Sequence, residues 1–319
     1  MLRLAAILFC AGLICADQAH AQTQSIPSLL VQNQKYIGPG DVLSGAVEYY
    51  GFRCYNYAYA GTVADLWDSG TGSTSETTIT CNNGQLVYSG ATGCTAGSGC
   101  AILSTTCASG CVVGAIYDQS GANGCSAAPC NLTQGTNSKR PTYTFSASHQ
   151  GKNCATFLGS NSQSLGNATA NSNQTGAFSA IFYSSRTATF TSFVAIWDYN
   201  NNGISSFYNN AVTQIVAGGA TSVHSNVAGG GPSDGNQYPF QMLWNTTNAG
   251  AYISGQPATM NGSSTGSLVL TGARTDIGVN GSAASAYLTG VFCELGIWGN
   301  TTFSNGQIAA MNTNQNAFW

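Results

Sequence analysis

The chain has 319 residues, 43% of them hydrophobic and only 6% charged, with a formal net charge of −3. Disorder driven by excess charge is excluded, and eight Lys and Arg residues with no basic cluster beyond Lys139-Arg140 leave nothing to hold a nucleic-acid backbone. The polar surface must be Ser, Thr, Asn, Gln and Gly, which suits a neutral ligand read by hydrogen bonds and ring stacking.

Residues 1–21 read as a signal peptide, with Arg3 near the start, an apolar run from Leu4 to Ile14 and Ala19-His20-Ala21 as the cleavage site. That run is too short for a bilayer and no later stretch approaches the needed length, so a secreted or periplasmic protein without a membrane span is expected. Cys10 and Cys15 leave with the peptide. Ten cysteines remain, an even number in an oxidising compartment, and they read as a disulfide framework. A metal site would need close Cys-x-x-Cys pairs with His partners, so neither metal nor cofactor is expected.

Residues 22–45, with Pro27, Gly38, Pro39 and Gly40, form a leader lying along the domain edge. From Ala46 the chain turns aromatic, and Tyr55, Tyr57 and Tyr59 alternate as strand residues do. Ala64-Asp65-Leu66-Trp67-Asp68 and the pieces 77–80 and 85–88 follow as strands. Then comes a Gly/Ser-rich segment that cannot bury enough apolar surface to order itself, flanking Ala115-Ile116-Tyr117-Asp118-Gln119-Ser120-Gly121. Spacing suggests local pairs Cys94–Cys100, Cys107–Cys111 and Cys125–Cys130, completed by Cys54–Cys81 and Cys154–Cys293, although sequence does not fix connectivity.

Beyond this insert, short apolar runs recur between Gly/Asn/Ser clusters at 142–145, 155–158, 177–183, 190–197, 203–208, 214–216, 240–244, 249–253, 267–270, 276–279 and 286–298. Many short strands without a helical period predict an all-β sandwich or jelly roll. The chain end differs: residues 305–316 open after Ser304, a good N-cap, and place Ile308, Met311 and Gln315 on one helix face. One domain spanning 46–319 is expected, with a split near Ser146 as the alternative.

Asp118 before Ser-Gly reads as a side chain capping backbone N–H groups. Asp276 and Glu294 lie on runs expected to pair as neighbouring strands, where they could face each other as acid and base, or one could face solvent while the other bonds buried backbone. Asp198 between Trp197 and Tyr199 pairs a carboxylate with stacking rings, an arrangement that holds neutral sugars. Asp198, Asp276 and Glu294 are thus the pool of candidate catalytic groups. His149 and His224 stand apart from any Ser or Cys nucleophile motif.

Tyr57-Ala58-Tyr59, Ile116-Tyr117-Asp118-Gln119-Ser120-Gly121 with Leu132-Thr133-Gln134, Trp197-Asp198-Tyr199, Ile277-Gly278 and the ending from Leu288 to Trp298 followed by a helix resemble the α-L-arabinofuranosidase B catalytic domain. The resemblance implies a concanavalin-like jelly roll and a retaining glycosidase, which needs a carboxylate nucleophile and a carboxylic acid about 5 Å apart. The family's nucleophile segment corresponds to Ser206-Phe207-Tyr208-Asn209, which puts Tyr208 where a Glu is needed, and the stretch from Tyr199 to Ser233 holds no Asp or Glu. The family's acid follows Ile-Gly-Gly, where this chain has Ile277-Gly278-Val279-Asn280. Its paired cysteines are replaced by Ala195-Ile196. Tyr208, Asn209, Gly278 and Asn280 thereby join Trp197 and Tyr199 as expected substrate contacts. The expectation is an exported glycan-binding protein whose hydrolytic residues are lost or altered. Its alternatives are an active α-L-arabinofuranosidase acting on arabinan or arabinoxylan, and a disulfide-hardened structural or adhesion domain.

Overall fold

The computed structural model describes residues 35–70, 75–88, 110–121, 130–146, 152–167, 174–175, 177–186, 194–199, 204–209, 212–217, 223–227, 238–244, 249–257, 260–261, 269–270, 274–279 and 286–319. The expected signal peptide, most of the expected leader, Asn280 and Cys94, Cys100, Cys107 and Cys125 lie outside these residues.

The strands in chain order begin with β1 (Glu48–Gly51), β2 (Thr62–Asp68), β3 (Ser75–Asn82), β4 (Gln85–Tyr88), β5 (Cys111–Ile116), β6 (Leu132–Thr133), β7 (Thr142–Ser146), β8 (Lys152–Phe157) and β9 (Leu165–Gly166). There follow β10 (Gln174–Thr175), β11 (Phe178–Arg186), β12 (Val194–Tyr199), β13 (Ile204–Asn209), β14 (Val212–Ala217) and β15 (Val223–Val227). The last are β16 (Tyr238–Trp244), β17 (Ala249–Ile253), β18 (Gln256–Pro257), β19 (Met260–Asn261), β20 (Val269–Leu270), β21 (Thr275–Ile277) and β22 (Gly290–Gly299). Helices are α1 (Pro39–Val42) and α2 (Asn305–Phe318).

Every pairing among the described strands is antiparallel. One ladder is built on β22, whose long apolar run makes it a central strand: β11 pairs along one edge, β1 and β8 share the other, and β16, β17 and β18 extend the sheet beyond β11. A second ladder runs β6, β9, β21, β12, β13, β14, β15, β19. Strand β5 joins them, reaching the first through β7 and β8 and the second through β6. The main hydrophobic core contains Phe182, Phe240, Leu295 and Ile297 from the first ladder with Leu165 and Ile277 from the second, so the two ladders close on one another as a sandwich.

The other face of the β22 ladder carries α2. Ser304 accepts a hydrogen bond from Gln307 N at 3.3 Å while Gln307 Oε1 accepts from Ser304 N at 2.8 Å, a reciprocal cap that starts the helix where the sequence places it. Ile308, Met311 and Gln315 are the buried face.

Cys54–Cys81 and Cys154–Cys293 are disulfide-bonded, closing loops of 27 and 139 residues. Cys111 and Cys130 each also form a disulfide, to a cysteine outside the described residues. Asp118 Oδ1 accepts from the backbone N of Tyr49 and of Ser120, both at 2.9 Å. Gln119 binds Tyr55 N and Gly51 O, each at 2.9 Å, so the Tyr-Asp-Gln-Ser-Gly block stitches the end of β5 to β1.

One expected strand is a turn. The 55–59 segment does not pair. Asn56 Oδ1 accepts from Tyr59 N at 2.7 Å, and that local bond competes with a ladder despite the alternating tyrosines.

Candidate functional site

Glu294 does not pair with Asp276. Strand β21 lies between β9 and β12, whereas β22 lies among β1, β8 and β11, so the expected neighbouring strands belong to different ladders. Strand alternation turns Glu294 toward α2, where it is fully buried. Arg53 grips it with two hydrogen bonds, Nε to Oε2 at 2.6 Å and Nη2 to Oε1 at 2.9 Å. Tyr49 Oη donates to Oε2 at 2.7 Å and Gln315 Nε2 to Oε1 at 2.8 Å. Phe318 and Trp319 cover the guanidinium, 5.1 and 5.9 Å from their ring centroids. These bonds lock the carboxyl into the sheet–helix interface.

The register instead sets Asp276 directly opposite Asp198 in the β12–β21 pair. Opposed positions in an antiparallel ladder share a face of the sheet. The rung continues outward from Asp198 to Ser205, Val216 and His224 on successive strands, and inward from Asp276 to Gly166 and Thr133.

A buried carboxylate is unfavourable unless compensated. Arg274, two residues before Asp276, supplies the compensation: its Nε donates to Oδ2 at 2.8 Å and to Oδ1 at 3.0 Å, and its Nη2 also reaches Oδ1. The carboxyl of Asp276 is buried while the Arg274 side chain remains 52% exposed, so the pair leads from the sheet interior to solvent. Burial pushes the Asp276 carboxyl above its usual range, and Arg274 pulls it back. Gly166 makes room, because a Cβ there would sit 2.2 Å from Asp276 Oδ1 and 2.7 Å from Arg274 Nη2. Sequence reasoning missed Arg274, although an Arg two positions from an Asp on a strand shares its face.

Alternation divides the remaining candidates. Trp197 shares a rung with Ile277 and Leu165, and Tyr199 with Thr275, so these two aromatic positions alternate with Asp198 along the strand. Tyr208 opposes Val194 on that same alternate set, whereas Asn209 falls with Ser205 on the aspartate face. Gly278 has a structural reason of its own: its φ is +80°, and a Cβ would lie 2.5 Å from the Phe157 ring. Among the described residues no cluster of His, Cys, Asp or Glu could hold a metal ion.

Solved structures share this architecture. A GH54 α-L-arabinofuranosidase soaked with a cyclic sulfate inhibitor superimposes with a TM-score of 0.59 at 12% identity, over 88% of this chain and 65% of that one. The chain shares the jelly-roll fold of that structure. An arabinofuranosidase complexed with arabinofuranosyl-α-1,2-xylobiose matches with a TM-score of 0.53 at 12% identity, over 88% of this chain and 64% of the other. The present chain thus spans just under two thirds of the length of these arabinofuranosidase structures. No protein-family model matches the sequence, and no curated protein matches it significantly.

Proposed function

We propose that this is an exported carbohydrate-active protein that binds an arabinofuranosyl-bearing glycan on the aspartate face and has altered hydrolytic residues. The observation that carries the reading is the state of the carboxylates on an arabinofuranosidase-like fold: Glu294 is sealed by Arg53, and Asp276 is clamped by Arg274. A carboxylate sealed in the sheet–helix interface cannot reach a substrate, and one paired with an arginine is suited to accepting hydrogen bonds from sugar hydroxyls. The fold likeness supports the glycan class, and the paucity of surface charge agrees with a neutral polymer.

The test is retention of the purified protein on arabinan and arabinoxylan, together with release of 4-nitrophenol from 4-nitrophenyl α-L-arabinofuranoside. Retention without release is expected, and Asp198→Asn should weaken retention at least several-fold. The opposed aspartates favour one second reading, an active glycosidase that uses Asp198 and Asp276 as its carboxyl pair. Release abolished by either Asp198→Asn or Asp276→Asn would establish that reading in place of the first.

A further inference from the structure

Away from the aspartate rung, a groove of about 570 Å³ opens between the end of β2, strand β5, the 134–142 segment and the turn that follows β8. Its walls include Ser69, Asn137, Arg140, Leu158, Asn161 and Gln163, and no carboxylate is among the described lining residues. The volume lies within the range of small-molecule sites, about 300–1,000 Å³.

The walls are fixed by bonds that do not use the groove. Asn137 Nδ2 donates to Ser69 O at 2.8 Å, and its Oδ1 accepts from Arg140 Nη1 at 3.2 Å. Arg140 Nε donates to Gln134 O at 2.8 Å, and the guanidinium stacks 3.8 Å from the centroid of the Trp67 ring. Gln134 Nε2 in turn donates to Ser164 O at 3.1 Å, and Gln163 Oε1 accepts from Leu158 N at 2.6 Å. A wall already ordered loses little conformational entropy when a ligand arrives.

The open side of the groove carries a different chemistry. Asn161 and Ser138 are exposed hydrogen-bonding groups, and Leu158, 44% exposed, is one of two large apolar side chains left so open among the described residues. Amides and hydroxyls around one aliphatic platform suit a ring that has hydroxyls at its rim and C–H groups on its face, while the cation of the lining, Arg140, lies buried beneath.

We propose that this groove binds a segment of neutral polysaccharide, at a second site sharing no lining residue with the Asp198–Asp276 rung. The ligand class rests on the carbohydrate function proposed for the aspartate face; the location rests on the groove itself.

The experiment is hydrogen-exchange mass spectrometry and titration calorimetry on the full chain with arabinotriose and xylotriose, repeated on the surface double variant Leu158→Asn/Asn161→Ala. Supporting results are ligand protection across residues 134–142 and 158–164 and at least ten-fold weaker binding by the double variant at an unchanged melting temperature. Binding with protection confined to residues 194–209 and 274–279, and unaltered in the double variant, overturns the groove and leaves the proposed function standing. Retention on arabinan without protection in the groove segments likewise overturns the groove alone. No binding of either probe combined with no retention on arabinan overturns both.

Discussion

Glu48 shows how far a single carboxyl in this sandwich departs from its behaviour in water. It is fully buried, its Oε2 accepts from Tyr50 Oη at 2.9 Å and Thr275 Oγ1 at 2.7 Å, and its Oε1 has no hydrogen-bond partner among the described residues. Burial, with a smaller push from the charge of Asp118, raises it from an ordinary 4.5 to about 8. The folded state therefore holds this proton more tightly than the unfolded chain. Stability from this group is fully present below about pH 4.5 and is lost as pH rises through 8. Glu48→Gln keeps the shape and removes the titration. Its melting temperature should exceed that of the parent increasingly from pH 5 to pH 8, by a free energy on the order of 5 kcal/mol at most. Calorimetric melts across that range check it, and parallel pH curves for the two proteins would refute it. Nothing in the sequence singled out Glu48, because its neighbour Thr275 is 227 positions away. The Arg53–Glu294 pair was hidden for the same reason, at a separation of 241.

At the scale of elements, local signals read well where they were self-contained. The cap at Ser304 and the spacing of Ile308, Met311 and Gln315 lie within one helix, and the helix forms there. Ser304→Ala should cost about 1 kcal/mol, seen as a lower melting temperature without loss of glycan retention. Strand positions were also legible from apolar runs, but strand partners were not. Asp276 meets Asp198 rather than Glu294 because β9 and β12 flank β21, an adjacency that no local pattern encodes. Gly166 tests that adjacency from the third strand. Gly166→Ala forces a Cβ into Asp276 and Arg274, so glycan retention should fall several-fold while the helix-side core is untouched; full retention would remove the rung from the binding site.

For the molecule as a whole, the largest covalent constraint among the described residues is Cys154–Cys293, which ties β8 to β22 across 139 residues. Both cysteines are fully buried, so replacement also disturbs the core. Cys154→Ser with Cys293→Ser should lower stability by about 3–5 kcal/mol in denaturant melts, more than loss of the 27-residue Cys54–Cys81 link, since a longer closed loop restricts the unfolded chain more.

The division between sequence and tertiary structure follows from the range of the forces involved. Alternation, turn residues and capping act over a few positions, so the sequence alone determined an all-β chain with its strands in order and a terminal helix. The Tyr-Asp-Gln-Ser-Gly block was readable too, and its bonds to β1 show that its side chains hold the fold together. Which carboxylates are sealed, which are opposed and where a groove opens depend on residues brought together from distant parts of the chain. Burial and ladder register in the folded sandwich decided those, because desolvation and cross-strand contact exist only once the layers have closed.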